Sequence, residues 1–262
     1  MNIIYTPLDK RGYMIENIIF NEDCLSGMER LPEGCIDMVL CDPPFEQTHN
    51  NWDTCIPLDP LWQQIKRITK SNAAIIFFAN GMFTARLMMS NPKWWRYNLI
   101  WEKTQPSGFL NANRMPLRAH EDICVFYNKL PIYNPQKTTG HTRKVSTANH
   151  KRNSKLSTDY NPHEMMTYDS TERYPRSVLK FSKDTQKSAL HPTQKPVALC
   201  EWLIRSYTNE NDIVLDMCMG SGTTAVAAMN CGRRYIGFEL DEGIYKTACE
   251  RIHNNGKELN EK

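Results

Sequence analysis

The sequence predicts an α/β domain built on a seven-stranded, mostly parallel β-sheet. Three observations support this prediction: short apolar runs alternate with amphipathic segments, a glycine turn joins one strand to a helix, and 262 residues suffice for one large core. In such domains the helices cover both faces of the sheet, and ligands bind beyond the carboxyl ends of the strands.

The elements follow the apolar runs in chain order. Residues 130–190 lack a sustained period and are rich in Asn, Thr, Ser and Pro, so we expect an inserted region outside the sheet. The flanking residues 1–129 and 191–262 then form two halves of one domain. Pro196 is expected at the first position of a helix. The predicted strands are residues 15–20, 36–41, 73–78, 97–101, 123–127, 213–217 and 235–238. The predicted helices are residues 60–69, 82–89, 196–207, 223–230 and 244–254.

The apolar and cysteine patterns favour a cytoplasmic protein. The longest apolar run, residues 73–79, is far shorter than the roughly 20 residues of a membrane span, and no apolar signal segment follows the first charges. The nine cysteines are scattered, without a C-x-x-C pair or a Cys/His spacing typical of a metal site. We therefore expect free thiols in a reducing compartment and no bound metal.

Positive charge is concentrated in the predicted insertion. Residues 129–187 hold 12 Lys and Arg against 5 Asp and Glu, although the net charge of the whole chain is +3. Basic side chains interleaved with tyrosines are typical of a surface that holds nucleic acid, and the alternative is an ordinary solvated face. The candidate DNA contacts are Arg143, Lys144, Lys151, Arg152 and Lys155.

A glycine turn follows the predicted strand that ends near Asp216. Gly220, Ser221 and Gly222 join this strand to a helix, and the next strand ends in Glu239. Small residues let a ligand approach the backbone, and an acidic residue at about this spacing reaches ribose hydroxyls. The pattern indicates an adenosine-containing cofactor.

The residues of this turn favour a cationic cofactor over a dinucleotide. The fingerprint G-x-G-x-x-G fails because Ala225 stands where its third glycine would be. A buried carboxylate of Asp216 would repel a pyrophosphate and attract a cation. S-adenosylmethionine has an ammonium, a sulfonium and no phosphate, so it fits better than NAD. A nicotinamide-dependent oxidoreductase is the alternative.

A second candidate site is the run Asp42-Pro43-Pro44-Phe45, directly after an apolar strand. Two prolines fix the backbone and donate no N–H, so this turn presents rigid oxygen acceptors. The Asp42 carboxylate and the Pro43 carbonyl can each accept an N–H from a nucleobase amine, with the Phe45 ring stacked on the base. Two acceptors favour a pyramidal nitrogen that attacks a sulfonium methyl in line. The alternative is an ordinary turn after a buried strand.

These features resemble the β-group of DNA amino-methyltransferases, which act on adenine N6 or cytosine N4 and occur in phages and restriction-modification systems. The matching runs are DPPF with NNWD downstream, WEKTQPSGFLNANRMPLRAHEDICVFY, RYPRSVLKF, HPTQKPVALCEWLI and VLDMCMGSGTTAVAA, which together span nearly the whole chain. The resemblance implies a circularly permuted, Rossmann-like class I S-adenosylmethionine-dependent methyltransferase, with residues 130–190 as the target-recognition region. Asp216-Met217-Cys218 departs from the family's usual Asp-Pro-Phe.

Such a permuted sheet needs a further strand beside the one that ends in Glu239, and the N-terminal strand can supply it. Asp23, Asp42, Asp216 and Glu239 would then lie at the carboxyl ends of neighbouring parallel strands, with Asn80 at the next. Four acids would line one crevice.

The resemblance also implies roles for individual residues. Asp42, Pro43, Pro44 and Phe45 would form the target-amine site. His191 is expected to position other groups through hydrogen bonds rather than to act as a general base.

The cofactor residues follow from the same resemblance. Asp23 with Cys24 would face the adenine ring, and the alternative is that Asp23 caps the following helix. The residues expected at the cofactor are Asp23, Cys24, Asp42, Thr193, Lys195, Pro196, Asp216, Gly220, Ser221, Gly222, Thr223 and Glu239.

The sequence therefore predicts a site-specific methyltransferase that transfers a methyl group to adenine N6 of a base flipped out of double-stranded DNA. Aspartate in DPPF, instead of the serine commoner in cytosine-N4 members, favours adenine. Cytosine N4 and an inactive DNA-binding regulator with the same fold are the alternatives. A cognate restriction endonuclease, and the choice between a monomer and a homodimer, stay open.

Overall fold

The structure is a computed structural model that describes residues 16–45, 55–146, 167–183 and 194–260. It divides into two compact units: one comprises Met1–Asn134 with Ser177–Lys262, and the other comprises Pro135–Arg176. The predicted site residues outside the described ranges are Lys151, Arg152, Lys155, His191 and Thr193.

All of the predicted strands and helices are present; residues 36–41 and 223–230 have the predicted bounds, and the ends of the others are shifted. Pro196 is the N-cap residue of α4, one position before the helix begins. No helix among the described residues combines the length and the apolar character that a membrane crossing needs. The strands are β1 (Ile18–Asn21), β2 (Ile36–Cys41), β3 (Thr69–Ala79), β4 (Trp95–Ser107), β5 (Arg118–Phe126), β6 (Lys144–Ser146), β7 (Tyr168–Ser170), β8 (Val178–Phe181), β9 (Ile213–Asp216) and β10 (Arg234–Glu239). The helices are α1 (Cys24–Glu29), α2 (Leu58–Ile68), α3 (Met82–Ser90), α4 (Val197–Tyr207), α5 (Thr223–Asn230) and α6 (Glu242–Asn260).

The main sheet has the strand order β1-β10-β9-β2-β3-β5-β4-β8 within the described ranges. β5 runs antiparallel to both of its neighbours, and the other neighbouring strands are parallel. The N-terminal strand β1 lies beside β10, with Asn21 opposite Glu239. The predicted mostly parallel, permuted sheet is therefore confirmed.

The sheet has an eighth strand, β8, which the sequence did not predict. It lies within residues 130–190, so the expectation that this whole stretch is outside the sheet is wrong here. β8 pairs in parallel with residues 100–103 of β4 at the edge of the sheet. Leu179 is its one buried residue, so the strand lacks the continuous apolar run that marks the others. The second compact unit, Pro135–Arg176, is accordingly shorter than the predicted insertion.

Two hydrophobic clusters sandwich the sheet. Because side chains alternate along a strand, Met38 and Leu40 of β2 join one cluster, and Val39 and Cys41 join the other. The first cluster includes apolar residues of α4, α5 and α6, and the second includes those of α1, α2 and α3. Helices therefore cover both faces, which leaves the carboxyl edge of the strands free for a site.

The second unit contains a short antiparallel ribbon. β6 pairs with β7, and an isolated bridge joins Thr138 to Arg173. The ion pair of Lys137 with Glu172 adds to this unit.

Candidate active site

A cavity of about 930 Å³ opens at the carboxyl ends of five neighbouring strands. The residues at or just after the ends of β1, β10, β9, β2 and β3 line it, namely Asp23, Glu239, Asp216, Asp42 and Asn80. Neighbouring parallel strands end at one edge of a sheet, so the strand order produces this arrangement. The structure thus brings the glycine turn and the D-P-P-F turn into one cavity.

The glycine turn uses conformations that other residues rarely adopt. Gly220 and Gly222 have φ angles of 54° and 83°, in the left-handed region. At Gly222, which caps α5, an added Cβ would also lie 3.2 Å from Cδ1 of Ile252. Gly220, Ser221 and Thr223 line the cavity. Gly222 and Pro196 shape the neighbouring helix starts without lining the cavity.

Arg251 of α6 supports this turn, although the sequence pattern did not single it out. Its Nη1 donates to the Ser221 carbonyl at 3.1 Å, to Ser221 Oγ at 3.2 Å and to Thr223 Oγ1 at 3.0 Å. One guanidinium nitrogen therefore holds both ends of the turn. A helical pattern does not show which side chain reaches a turn about 30 residues earlier, so the sequence carried no direct signal.

Asp216 is almost fully buried at the end of β9. Its exposed fraction is 3%, and its Oδ1 accepts the Cys218 N–H at 3.0 Å. Burial raises the pKa of Asp216 to about 6, against hydrogen bonds from Thr224 and Cys218 that favour the charged form. The carboxyl is therefore a group whose charge responds to a bound cation.

Glu239 lies at the end of β10 and is bound by the turn beside it. Oε2 accepts the Gly220 N–H at 2.8 Å, and Oε1 accepts the Asp241 N–H at 3.0 Å. Burial raises the pKa of Glu239, and these backbone hydrogen bonds oppose the rise. Glu239 thus links the glycine turn to the start of α6.

Asp23 has the structural role that the sequence left as an alternative. Its side chain accepts the Ser26 N–H at 3.0 Å and caps α1. Asp23 and Cys24 both line the cavity as well, and burial raises the pKa of the Cys24 thiol. Capping holds Asp23 at the cavity, and a contact with an adenine ring stays a prediction.

Lys195 binds the catalytic candidate Asp42. Nζ lies 2.5 Å from Oδ2 of Asp42, and Lys195 is only 9% exposed. Oδ1 of Asp42 is buried and has no hydrogen-bond partner among the described residues. Burial raises the pKa of Asp42, and the Lys195 ammonium opposes the rise without cancelling it. One carboxylate oxygen is therefore fixed by a cation, and the other is an unused acceptor.

A buried network extends from Asp42 to β4 and β5. Lys195 lies 3.3 Å from Glu121 Oε2, and Glu121 also pairs with Lys103. Burial raises the pKa of Glu121, but the two ammonium groups outweigh it, and the net shift is downward. Burial lowers the pKa of Lys195, but Asp42 and Glu121 outweigh it, and the net shift is upward. The sequence reasoning missed Lys103 and Glu121, because β4 is mostly exposed or half-buried and β5 begins with exposed residues, so a charged residue in either strand does not stand out.

Phe45 completes the acceptor turn. Its ring centroid lies 5.0 Å from that of Phe83, and Lys195 Nζ lies 5.9 Å from the Phe45 centroid. Pro43, Pro44 and Phe45 all line the cavity. The turn therefore presents an oxygen acceptor and an aromatic face side by side.

Two of the predicted DNA contacts lie in the described part of the second unit. Arg143 is exposed and makes a two-pronged pair with Asp169, from Nε to Oδ1 at 2.7 Å and from Nη2 to Oδ2 at 2.5 Å. Lys144 is exposed on β6. Both side chains are accessible, and an exposed pair of this kind is weak enough to exchange partners.

The strand order, with an acceptor turn and a glycine turn at one sheet edge, defines the class I S-adenosylmethionine-dependent methyltransferase fold. Residues 36–250 match the family model described as DNA methylase, of the N6/N4 type, and the chain belongs to this family. The family predicted from the sequence is confirmed.

Individual relatives agree with this assignment. The chain is 27% identical over 270 residues to Type II methyltransferase M.HinfI of Haemophilus influenzae, covering 90% of this chain and 68% of that protein. The M1.HpyAVI-SAM complex matches with a TM-score of 0.61 at 23% identity, over 89% of this chain and 98% of that chain. The cytosine-N4-specific PvuII DNA methyltransferase matches with a TM-score of 0.65 at 16% identity, over 90% of each chain. At these identities the solved structures establish the fold.

Membership of this family makes S-adenosylmethionine the cofactor, as predicted. The cavity fits a cationic ligand of this kind because the carboxyl groups of Asp23, Asp216, Glu239 and Asp241 line one side of it. Gly220 presents its backbone there without a side chain. The chain is thus a DNA methyltransferase with a cavity suited to its cofactor.

Proposed function

We propose that this chain methylates adenine N6 of a base flipped out of double-stranded DNA. The proposal rests on the different surroundings of the two carboxylate oxygens of Asp42. Lys195 pairs with Oδ2, and Oδ1 is buried without a hydrogen-bond partner among the described residues. A buried acceptor without a donor is unfavourable, and an exocyclic amine supplies an N–H at that point.

Each residue of the acceptor turn would contact a different part of the target base. Asp42 Oδ1 and the Pro43 carbonyl would accept the two amine N–H groups, and Phe45 would stack on the base. Bound S-adenosylmethionine supplies an electrophilic methyl group. Two rigid acceptors favour a pyramidal amine nitrogen whose lone pair points away from Asp42 and would form the new bond to the methyl carbon in line. The sulfur–methyl bond would break with its electron pair on sulfur, and the methylated nitrogen would then give up the proton that is hydrogen-bonded to Asp42 Oδ1.

The cofactor residues form the neighbouring part of the proposal. Asp216 and the turn residues would surround the methionine part, Glu239 would bind the ribose, and Asp23 would lie at the adenine ring with Cys24. Asp23 and Glu239 already hold backbone N–H groups, so both carboxyls are fixed before a ligand arrives. Thr193 would complete the pocket, whereas Pro196, expected there from the sequence, does not line the cavity and only caps α4. Lys195 would act from its ion pair with Asp42, on the target-amine side.

Adenine is favoured over cytosine by Asp42 itself, since serine is commoner at this position in the cytosine-N4 members that the sequence resembles. We further propose that residues 135–176 recognise the target sequence, with Arg143 and Lys144 on DNA phosphates. Arg143 would exchange Asp169 for a phosphate, which offers the same two-pronged geometry.

The test is expression in a host whose DNA is unmethylated, followed by nucleoside mass spectrometry and modification mapping of the genomic DNA. The expected product is N6-methyladenine in one short sequence context. N4-methylcytosine alone would contradict the adenine assignment. DNA without any new modification, from cells that hold folded protein, would contradict the proposed activity and favour an inactive DNA-binding regulator.

A further inference from the structure

The cavity carries opposite charges on its two sides. Asp216 and Glu239 end β9 and β10 on one side. On the other side Lys103 of β4, Arg118 at the start of β5 and Lys183 just after β8 line the same cavity. Because β5 runs antiparallel to β4, its first residue lies at the same sheet edge as the end of β4. The cavity therefore has an acidic side and a basic side.

Two of these cations have no ion-pair partner among the described residues. Lys103 pairs with Glu121, and Lys195 pairs with Asp42, whereas neither Lys183 nor Arg118 pairs with a described carboxylate. Lys183 is half-buried, and burial and the ammonium groups of Lys103 and Lys195 lower its pKa, although the Glu121 carboxylate opposes this shift without reversing it. A half-buried cation beside other cations is unfavourable until an anion joins it.

We propose that Lys183 and Arg118 bind the phosphodiester backbone of the nucleotide whose base enters the cavity. This inference rests on the proposed function and names how the same site holds its substrate. The base has to reach Asp42, and its phosphates leave the cavity on the basic side because the carboxylates opposite repel them. Arg118 offers the planar fork that matches a phosphate, and Lys183 offers a point charge.

Such a contact acts at a specific step. The phosphate of the target nucleotide would contact Lys183 and Arg118 only after its base has left the duplex stack and entered the cavity. The contact therefore favours the flipped state over the stacked one and offsets part of the free energy of flipping. It should influence the rate of methyl transfer more than the binding of DNA of unrelated sequence.

The experiment follows the logic of a double-mutant cycle: the charge of one side chain and the charge of one DNA phosphate are removed separately and then together. Duplexes with the mapped methylation site carry an uncharged methylphosphonate in place of one phosphate at a time around the target base. For the unmodified chain we expect kcat/KM to fall about tenfold at one or two of these positions, as expected for a lost charged hydrogen bond. In Lys183→Gln and Arg118→Gln, the same replacement should lower kcat/KM less than about twofold at the matching position.

Two further variants are the controls. Lys180→Gln removes an exposed lysine of β8 that pairs with Glu102, and it should keep the full sensitivity of the unmodified chain. Lys183→Arg keeps the charge and should retain most of that sensitivity. Cofactor binding measured by calorimetry shows whether each variant is folded.

The outcomes separate this inference from the function on which it rests. An unmodified chain that methylates DNA, with variants as sensitive as it is at every position, would overturn the phosphate site and leave the proposed function standing. A chain that methylates no DNA would overturn both.

Discussion

The ammonium of Lys195 lies 2.5 Å from Oδ2 of Asp42 and 3.3 Å from Oε2 of Glu121, so one buried cation joins the acceptor turn to β5. This relationship fixes one oxygen of Asp42 and leaves Oδ1 for another donor. The Lys195 ammonium also opposes the rise in the pKa of Asp42 that burial causes.

Lys195→Met should lower kcat for methyl transfer by about a hundredfold at neutral pH, because Asp42 loses the cation that holds its Oδ2 and opposes the rise in its pKa. Loss of an opposite charge raises the pKa of Asp42 further. The acidic limb of the kcat profile should therefore move to higher pH, which a pH series of kcat would detect. Lys70→Met, which breaks an ion pair with Asp37 elsewhere, is the matched control. An unchanged acidic limb in Lys195→Met would contradict the role of the pair.

Affinity for S-adenosylmethionine should depend on pH through Asp216. The pKa of its carboxyl is about 6 in the free protein. A cationic ligand binds the carboxylate more strongly than the neutral acid, so affinity should fall as the pH drops below about 6, by up to tenfold per unit. Calorimetry between pH 5 and pH 8 would measure this, with Asp216→Asn expected to bind weakly and without that dependence. A wild-type affinity independent of pH over this range would be incompatible with the prediction.

Gly222→Ala should destabilise the fold by about 1 to 3 kcal/mol, since its φ of 83° is strained for any other residue. An added Cβ would also press on Ile252. Gly34→Ala is the matched control, because Gly34 has a φ of 60° and no atom within 4 Å of an added Cβ. Chemical denaturation should show a larger loss for Gly222→Ala than for Gly34→Ala. Equal losses would mean that the contact with α6 costs nothing.

Arg251→Met should raise KM for S-adenosylmethionine about tenfold and leave KM for DNA nearly unchanged. Its three hydrogen bonds fix Ser221 and Thr223, and their loss frees the turn before the cofactor binds. Arg251→Lys should recover part of the affinity. Steady-state kinetics would compare both with Lys246→Met, an exposed position on the same helix. A change in KM for DNA alone would contradict the role given to Arg251.

Much of this site could be predicted from the sequence because it depends on strand ends. Asp42, Asp216 and Glu239 each follow an apolar run, and parallel strands end at one edge, so their meeting follows from the order of elements. The glycine turn and the two prolines are equally local signals. These features involve residues that are close together in the chain, so their spacing in the sequence predicts the local structure.

The parts that escaped prediction depend on distant partners. Glu121 meets Lys195 across more than seventy positions of sequence, and no local pattern shows that two buried charges will pair. Arg251 reaches its turn from the opposite end of a helix–strand–helix unit. β8 is an edge strand whose single buried residue, Leu179, leaves no apolar run to detect. In each case packing, rather than local propensity, determines the contact.

The most direct test of the acceptor turn is methyl transfer by purified wild-type and Asp42→Ala chains. Each would be incubated with unmethylated duplex DNA and S-adenosylmethionine labelled in its methyl group. The DNA would then be digested to nucleosides, and the labelled nucleosides identified by mass spectrometry. We expect labelled N6-methyldeoxyadenosine from the wild type and none from Asp42→Ala, whose affinity for the cofactor stays within a few fold. Full transfer by Asp42→Ala would contradict the role of this carboxylate and the mechanism built on it.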